Sequence, residues 1–236
     1  MVNDKMSILS VRRQEWKYEL DPIMSCDIAR RLSVLLDTDP VAHSSRYTVR
    51  SLYFDTLEDV DYRGKLDGLR LRHKLRLRCY PRPGCELTAD DTIKLECKEK
   101  DGSYQRKISL AVDMTEARAL MNGEYHILLS RGDENATRFY AMLSQGMYRP
   151  VSIVEYDRRA FIYPDFHTRI TLDEGIRGSL SALDLFRSDL PLMPASDRVT
   201  LEVKFDDVLA PAISDILSMY GLFHISAGKY SAVRGL

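Results

Sequence analysis

Along Arg70-Leu71-Arg72-His73-Lys74-Leu75-Arg76-Leu77-Arg78-Cys79-Tyr80 every second residue from Arg70 to Arg78 is basic, and most of those between are apolar. A strand points successive side chains to opposite faces, so the pattern predicts a strand with five cations on one face and Leu71, Leu75, Leu77 and Cys79 on the other. Like charges about 7 Å apart repel, and nothing in the strand itself neutralises them, so an anion is expected along that face. The same period of two recurs. Val11–Leu20 sets Arg13, Glu15, Lys17 and Glu19 against Trp16, Tyr18 and Leu20; Ile93–Lys100 sets Lys94, Glu96, Lys98 and Lys100 against Ile93, Leu95 and Cys97. Val199–Asp206 sets Thr200, Glu202, Lys204 and Asp206 against Val199, Leu201, Val203 and Phe205. Further strands are predicted at Tyr47–Phe54, Tyr104–Leu110, Val151–Ile162 and His167–Asp173, with Asp101-Gly102 as a hairpin turn.

A period near 3.6 takes over in the gaps. Asp21-Pro22 opens a helix over Pro22–Leu36, and shorter helices are expected at Asp113–Met121, Asp133–Gln145 and Val208–Met219. The stretch Gly178–Asp197, with Pro191 and Pro194, reads as a surface excursion. Apolar strand faces must be covered, and these amphipathic helices are the elements available to cover them.

The chain has 236 residues, 44% hydrophobic and 29% charged, with 34 Lys+Arg against 35 Asp+Glu. This is an ordinary globular composition, long enough for one core and one domain over 1–236. No apolar run approaches the roughly 18 residues of a membrane span, and Met6–Val11 is too short for a signal-peptide core, so a cytoplasmic location is expected. Cys26, Cys79, Cys85 and Cys97 form no Cys-x-x-Cys pair, which suits reduced, buried thiols better than disulfides or a zinc site.

The charge balance is not local. From Arg63 to Lys107 thirteen Lys or Arg stand against seven Asp or Glu, a net of +6. The charged faces either form the open side of a sheet or line the interior of a curled one. A dry, empty barrel of cations would be unstable, whereas a water-filled tunnel holding a polyanion avoids that cost. Glu15, Glu96 and Glu202 each precede a lysine by two residues. They serve as partners for those lysines or, beside a phosphate chain, as oxygen ligands for Mg²⁺ or Mn²⁺.

On these residues the chain resembles the VTC domain family, the polyphosphate polymerase branch of the triphosphate tunnel metalloenzymes (the CYTH-like superfamily). The matching pieces are Glu15-x-Lys17-Tyr18, Val49-Arg50-Ser51-Leu52-Tyr53-Phe54-Asp55-Thr56, Arg76-Leu77-Arg78-x-Tyr80 and Lys94-Leu95-Glu96-x-Lys98. They continue through Glu155-Tyr156-x-Arg158-x-Ala160-Phe161, Arg169-Ile170-Thr171-x-Asp173, Leu201-Glu202-Val203-Lys204 and Lys229-Tyr230. The resemblance implies an α+β fold, an eight-stranded antiparallel β-barrel tunnel with helices packed outside. It also implies transfer of the ATP terminal phosphate onto a growing inorganic polyphosphate chain, with Mn²⁺ or Mg²⁺. Lys17, Arg76, Arg78, Lys98, Arg158, Arg169 and Lys204 are then the cations of catalysis and binding. Lys107 and Lys229 join them in holding substrate, with Arg106 the alternative to Lys107, and Glu202 is the metal ligand. Arg13 stands where the wider superfamily often has a Glu, and Gly228 where the family commonly has Ser.

Phosphoryl transfer asks mainly for positioning and charge neutralisation, so no covalent nucleophile is assigned. His43, His73, His126, His167 and His224 are scattered and read as structural or exposed. Two other functions compete with the polymerase: hydrolysis of triphosphate or polyphosphate in the same tunnel, and a catalytically silent polyphosphate-binding module. Nucleic acid is not an expected partner, because the basic strands lack the exposed aromatics of a stacking platform. Family members often work beside a membrane protein that receives the product, so association through such a partner is a further expectation.

Overall fold

The computed structural model describes residues 13–39, 46–82, 85, 87–88, 91–102, 104–164, 167–226 and 228–236. In chain order the elements are β1 (Arg13–Leu20), α1 (Pro22–Leu35), β2 (Asp37–Thr38), β3 (Tyr47–Asp55), α2 (Val60–Leu66), β4 (Leu71–Cys79), β5 (Ile93–Asp101) and β6 (Tyr104–Val112). Then follow α3 (Met114–Met121), a 3₁₀ segment (Tyr125–Arg131), α4 (Glu134–Gln145), β7 (Arg149–Tyr163), β8 (Thr168–Ser179), β9 (Met193–Pro194), β10 (Val199–Asp206), α5 (Pro211–Ser218) and α6 (Lys229–Arg234). Helix starts follow the side chains that satisfy their first N–H groups. Asp21 accepts from Met24 N at 2.8 Å with Pro22 in the first turn, Asp113 and Glu116 form a reciprocal capping box, and Asp133 accepts from Ala136 N at 2.8 Å. Gly102 takes the left-handed conformation (φ 60°) that the tight β5–β6 turn requires.

The sheet is antiparallel, with hydrogen-bonded order β1-β10-β8-β7-β3-β4-β5-β6, β2 joined to β7 and β9 to β8. The eight long strands are those of the sequence reading. The path has β1 and β6 at its two ends, so closure into a ring through a β1–β6 ladder is not found among the described residues, and in hydrogen-bonding terms the sheet is open.

The chain divides into two compact units. The first comprises residues 1–45, 159–172 and 198–226, the second 46–158, 173–197 and 227–236. In the first, α1 and α5 cover the apolar faces of β1 and β10. Leu20, Ile28, Leu32, Ile170, Leu201, Val203 and Phe205 are sealed from solvent, and Trp16 meets Phe205 edge to face at 4.7 Å. In the second, Leu75, Leu77 and Cys79 of β4 and Leu95 and Cys97 of β5 pack with Leu120 of α3 and Phe139 and Leu143 of α4.

Three expectations change. Arg70 lies before β4, exposed and paired with Asp101 at 2.6 Å, so the basic stripe starts at Arg72. The stretch after Ser179 is irregular but not superficial: Leu185 and Phe186 are buried, and Arg50 donates to the carbonyls of Leu185 and Arg187 at 3.1 and 2.7 Å. Of the four thiols, Cys79 and Cys97 are buried and pushed up to about 12 by burial, but Cys26 and Cys85 are exposed, because they lie off the apolar strand faces. Among the described residues no helix is long and apolar enough to cross a membrane.

Candidate anion site

Strand register builds a cationic face in the second unit. Across β3, β4, β5 and β6 the pairs Tyr53↔Arg76, Arg76↔Glu96 and Glu96↔Ser109 lie in line, and so do Lys74↔Lys98 and Lys98↔Lys107. Cross-strand partners share a face, so these side chains stand opposite Leu75, Leu77 and Cys97. Glu96, only 2% exposed, is the hub. It accepts from Arg76 Nε at 2.9 Å and Nη2 at 2.6 Å, pairs with Lys107, and lies 3.9 Å from Arg78 Nε. Burial works to raise its pKa, but the Arg76 and Arg78 charges, with hydrogen bonds from Lys107 and Arg76, hold it at about 2.

A second knot joins β7, β8 and α6. Asp173, fully buried, accepts from Arg158 Nε at 2.6 Å and Nη2 at 2.8 Å and pairs with Lys229 at 2.6 Å. Burial opposes its charge, yet Lys229 and Arg158 keep its pKa below the ordinary value. Tyr156 bridges the knots: its hydroxyl lies 3.4 Å from Arg78 Nη2 and 3.3 Å from Arg158 Nη2, and its ring carries Lys229 at 4.9 Å. These carboxylates and phenols fix the guanidinium forks in place. Pre-set forks of this kind match phosphate oxygens.

The first unit carries a different pattern. On β1 and β10 the register pairs Glu15 with Lys204 and Lys17 with Glu202. Lys17 Nζ lies 2.7 Å from Glu15 and 3.8 Å from Glu202, and Lys204 contacts Glu202 and stands 4.0 Å from Glu15. Burial and the neighbouring Glu202 push the Glu15 pKa up, but Lys17 and Lys204 prevail and lower it. Arg169 on β8 donates through Nε and Nη2 to Asp39 at 3.0 and 2.8 Å.

The family model of the VTC domain matches residues 12–234. The chain belongs to the VTC domain family. No curated protein sequence matches it. Among solved structures it is similar to a Hippeastrum protein, an adenylyl cyclase candidate with a dominant triphosphatase activity. That likeness has a TM-score of 0.54 and 12% identity, over 94% of this chain and 94% of that one. It is also similar to an adenylate cyclase candidate from Bacillus halodurans, with a TM-score of 0.49 and 11% identity, over 92% of this chain and 95% of that one. The likeness to the Hippeastrum protein shows a fold similar to that of the triphosphate tunnel proteins.

In this VTC domain the second unit gathers Arg76, Arg78, Lys98 and Lys107 along β4–β6 and Arg158 with Lys229 around Asp173. The first unit gathers Lys17, Lys204 and Glu202, while Arg169 engages Asp39. Lys107 shares the face of Glu96, whereas Arg106 is registered with Glu99 on the face that meets α4 through Arg138. Arg13's side chain and His43 lie outside the described residues. Sequence reasoning passed over Tyr53, Tyr156 and Asp173 as members of the set. Asp173 shares the face of Arg169 by the period of two, a usable signal; Tyr156 shares a face with Arg158 but lies opposite Glu155, Asp157 and Arg159, and Tyr53 lies opposite Arg50, so charge alternation marks neither tyrosine.

Proposed function

We propose that this VTC domain is an ATP-dependent polyphosphate polymerase that transfers the γ-phosphate of ATP onto a growing inorganic polyphosphate chain. The observation supporting this most strongly is the face on which Arg76, Arg78, Lys98, Lys107, Arg158 and Lys229 come together from four strands and a helix, with Glu96 and Asp173 as buried counter-ions. Such a face spans several cross-strand spacings of about 5 Å, which suits a chain of phosphates better than a single one. Phosphoryl transfer needs an acceptor oxygen held in line with the γ-phosphate and charge placed where the equatorial oxygens gather it. Guanidinium groups fixed in advance supply that charge without reorganising during the reaction.

The donor set of the first unit suits a hard cation. Glu202 and Glu15 offer carboxylate oxygens, and a phosphate chain would complete the shell, since no group of three metal-ligating side chains occurs among the described residues. Mn²⁺ or Mg²⁺ held there would supply positive charge to phosphate oxygens.

The purified protein given ATP and Mn²⁺, followed by phosphorus NMR, is expected to yield ADP and long-chain polyphosphate, with any lag shortened by pyrophosphate. ADP with orthophosphate alone would replace this reading with hydrolysis, the activity named for the Hippeastrum protein. Unchanged ATP beside tight polyphosphate binding would replace it with a silent binding module.

A further inference from the structure

Tyr53 on β3 stands where the cationic face meets α6. Its hydroxyl accepts a hydrogen bond from Arg76 Nη1 at 3.1 Å. Its ring stacks on Tyr230, with centroids 4.6 Å apart and 19° between planes, and Tyr230 donates to Asp55 at 2.7 Å. Tyr230 directly follows Lys229, whose ammonium is fixed by Asp173. One phenol therefore touches a guanidinium of the face and the residue beside its terminal lysine. Arg76 has five N–H donors; Nε and Nη2 each give one to Glu96 and Nη1 gives one to Tyr53, and among the described residues that leaves two for a ligand.

We propose that Tyr53 is a proton-linked positioning residue of the anion site. Neutral, its oxygen takes one hydrogen bond from Arg76 and leaves the guanidinium charge to the ligand; ionised, it is a counter-ion that competes with the phosphate chain for Arg76. This rests on reading the face as a phosphate-chain site. The groups around Tyr53 are Lys74, Arg76 and Arg78 from β4, Glu96 from β5 through Arg76, Tyr156 from β7, Asp55 from β3, and Tyr230 with Lys229 from α6. Burial resists ionisation of the phenol, but Arg76, then Arg78 and Lys74, outweigh it and bring its pKa to about 7. A bound phosphate chain cancels part of that positive potential and returns the phenol toward its ordinary value. Binding therefore takes up a proton, and affinity falls as pH rises above about 7, by up to about tenfold per pH unit.

The test uses tripolyphosphate and calorimetric titration of the wild type and Tyr53→Phe from about pH 6 to about pH 9. The phosphate's own ionisation is common to both proteins. The wild type should therefore lose roughly tenfold or more in affinity relative to Tyr53→Phe across that range and take up protons that the variant does not. At about pH 8 the free wild type should show near-ultraviolet tyrosinate absorption that tripolyphosphate abolishes, below the range where an ordinary phenol ionises. Identical pH dependence in two proteins that both bind would overturn the role of Tyr53 and leave the anion site standing. Failure of both to bind at any pH would overturn the site and this inference with it. Should Tyr53→Phe not fold, the wild-type spectrum decides alone, and no tyrosinate below about pH 9 rejects the proposal.

Discussion

The two units handle charge on their strands in opposite ways. On β1 and β10 acids and bases alternate one for one, so Glu15, Lys17, Glu202 and Lys204 neutralise each other across the ladder. On β4 to β6 cations predominate, and the acids among them, Glu96 with Asp173 of β8, are almost wholly buried and shared by two or three partners each. A checkerboard carries little net charge. On the other face each buried carboxylate is shared among several cations, and Arg76 and Arg158 are fixed by two hydrogen bonds each, an arrangement that under the proposed function presents pre-set cations to an anion. The difference shows that alternating charge in a strand is no signal by itself; the sign ratio and the burial of the minority sign carry the meaning.

The contrast should be sharpest in stability. Asp173→Asn leaves Arg158 and Lys229 facing each other with no buried counter-ion, and breaking such a pair costs about 3–5 kcal/mol. The melting temperature should fall by on the order of 10 °C, and tripolyphosphate should restore part of it by supplying the missing charge. Glu202→Gln should cost only about 1 kcal/mol, because Lys17 and Lys204 both keep Glu15, while stimulation of turnover by Mn²⁺ is lost. Equal melting temperatures for the two variants would erase the distinction between the units, and full metal response in Glu202→Gln would move the metal to Glu96 or Glu15.

Glu96 tests the same contrast through pH. Its folded pKa of about 2 lies below the ordinary 4.5, so the stabilisation is complete above 4.5 and is lost as pH falls toward 2. The size is roughly 3 kcal/mol at neutral pH. Acid melts of Glu96→Gln should start less stable by that order and lack the wild-type decline in this window. A decline of the same depth in both proteins would assign the acid sensitivity to other carboxylates.

In turnover, Arg76→Ala should lower the rate by roughly 10²-fold or more, the usual cost of removing one preorganised charge stabiliser. Its melting temperature should change little in the presence of polyphosphate, since Lys107 and Arg78 remain beside Glu96. Arg76→Ala with wild-type activity would mean that the arginine-rich face does not hold the reacting phosphates.

The strands were legible because strict alternation has only one reading: Leu75, Leu77 and Cys79 had to be covered, and so Arg76 and Arg78 had to face away from the core. The short elements were not. α2 and α6 have too few residues for a helical period, and the segment at the buried Leu185 is held by Arg50, 135 residues distant in the chain, a contact that no local pattern announces. The cations of the proposed site were legible by type. Their organisers were not, since what makes Asp173 and Tyr53 matter is which strand the fold sets beside them.

The smallest expected effect concerns Gly228, where the family commonly has Ser. Its backbone is extended, φ −136° and ψ 130°, which any residue adopts, so glycine is not required there. A Cβ at this position would lie 3.3 Å from Lys74 Nζ and 3.7 Å from Ser231 Oγ. The first contact is tight but meets the far end of a flexible side chain. Among the described residues Ser231 Oγ is buried without a hydrogen-bond partner, and a serine hydroxyl at 228, at the start of α6, could satisfy it or cap a helical N–H. Such a cap is worth a few tenths of a kcal/mol over glycine. Gly228→Ser should therefore shift the melting temperature by no more than about 2 °C in either direction. It should move tripolyphosphate affinity more than stability, because Lys74 must retreat on the face it shares with Lys98 and Arg76. A large loss of stability would show that Lys74 is locked in place, and the cationic face would then be as rigid at its lysines as at its arginines.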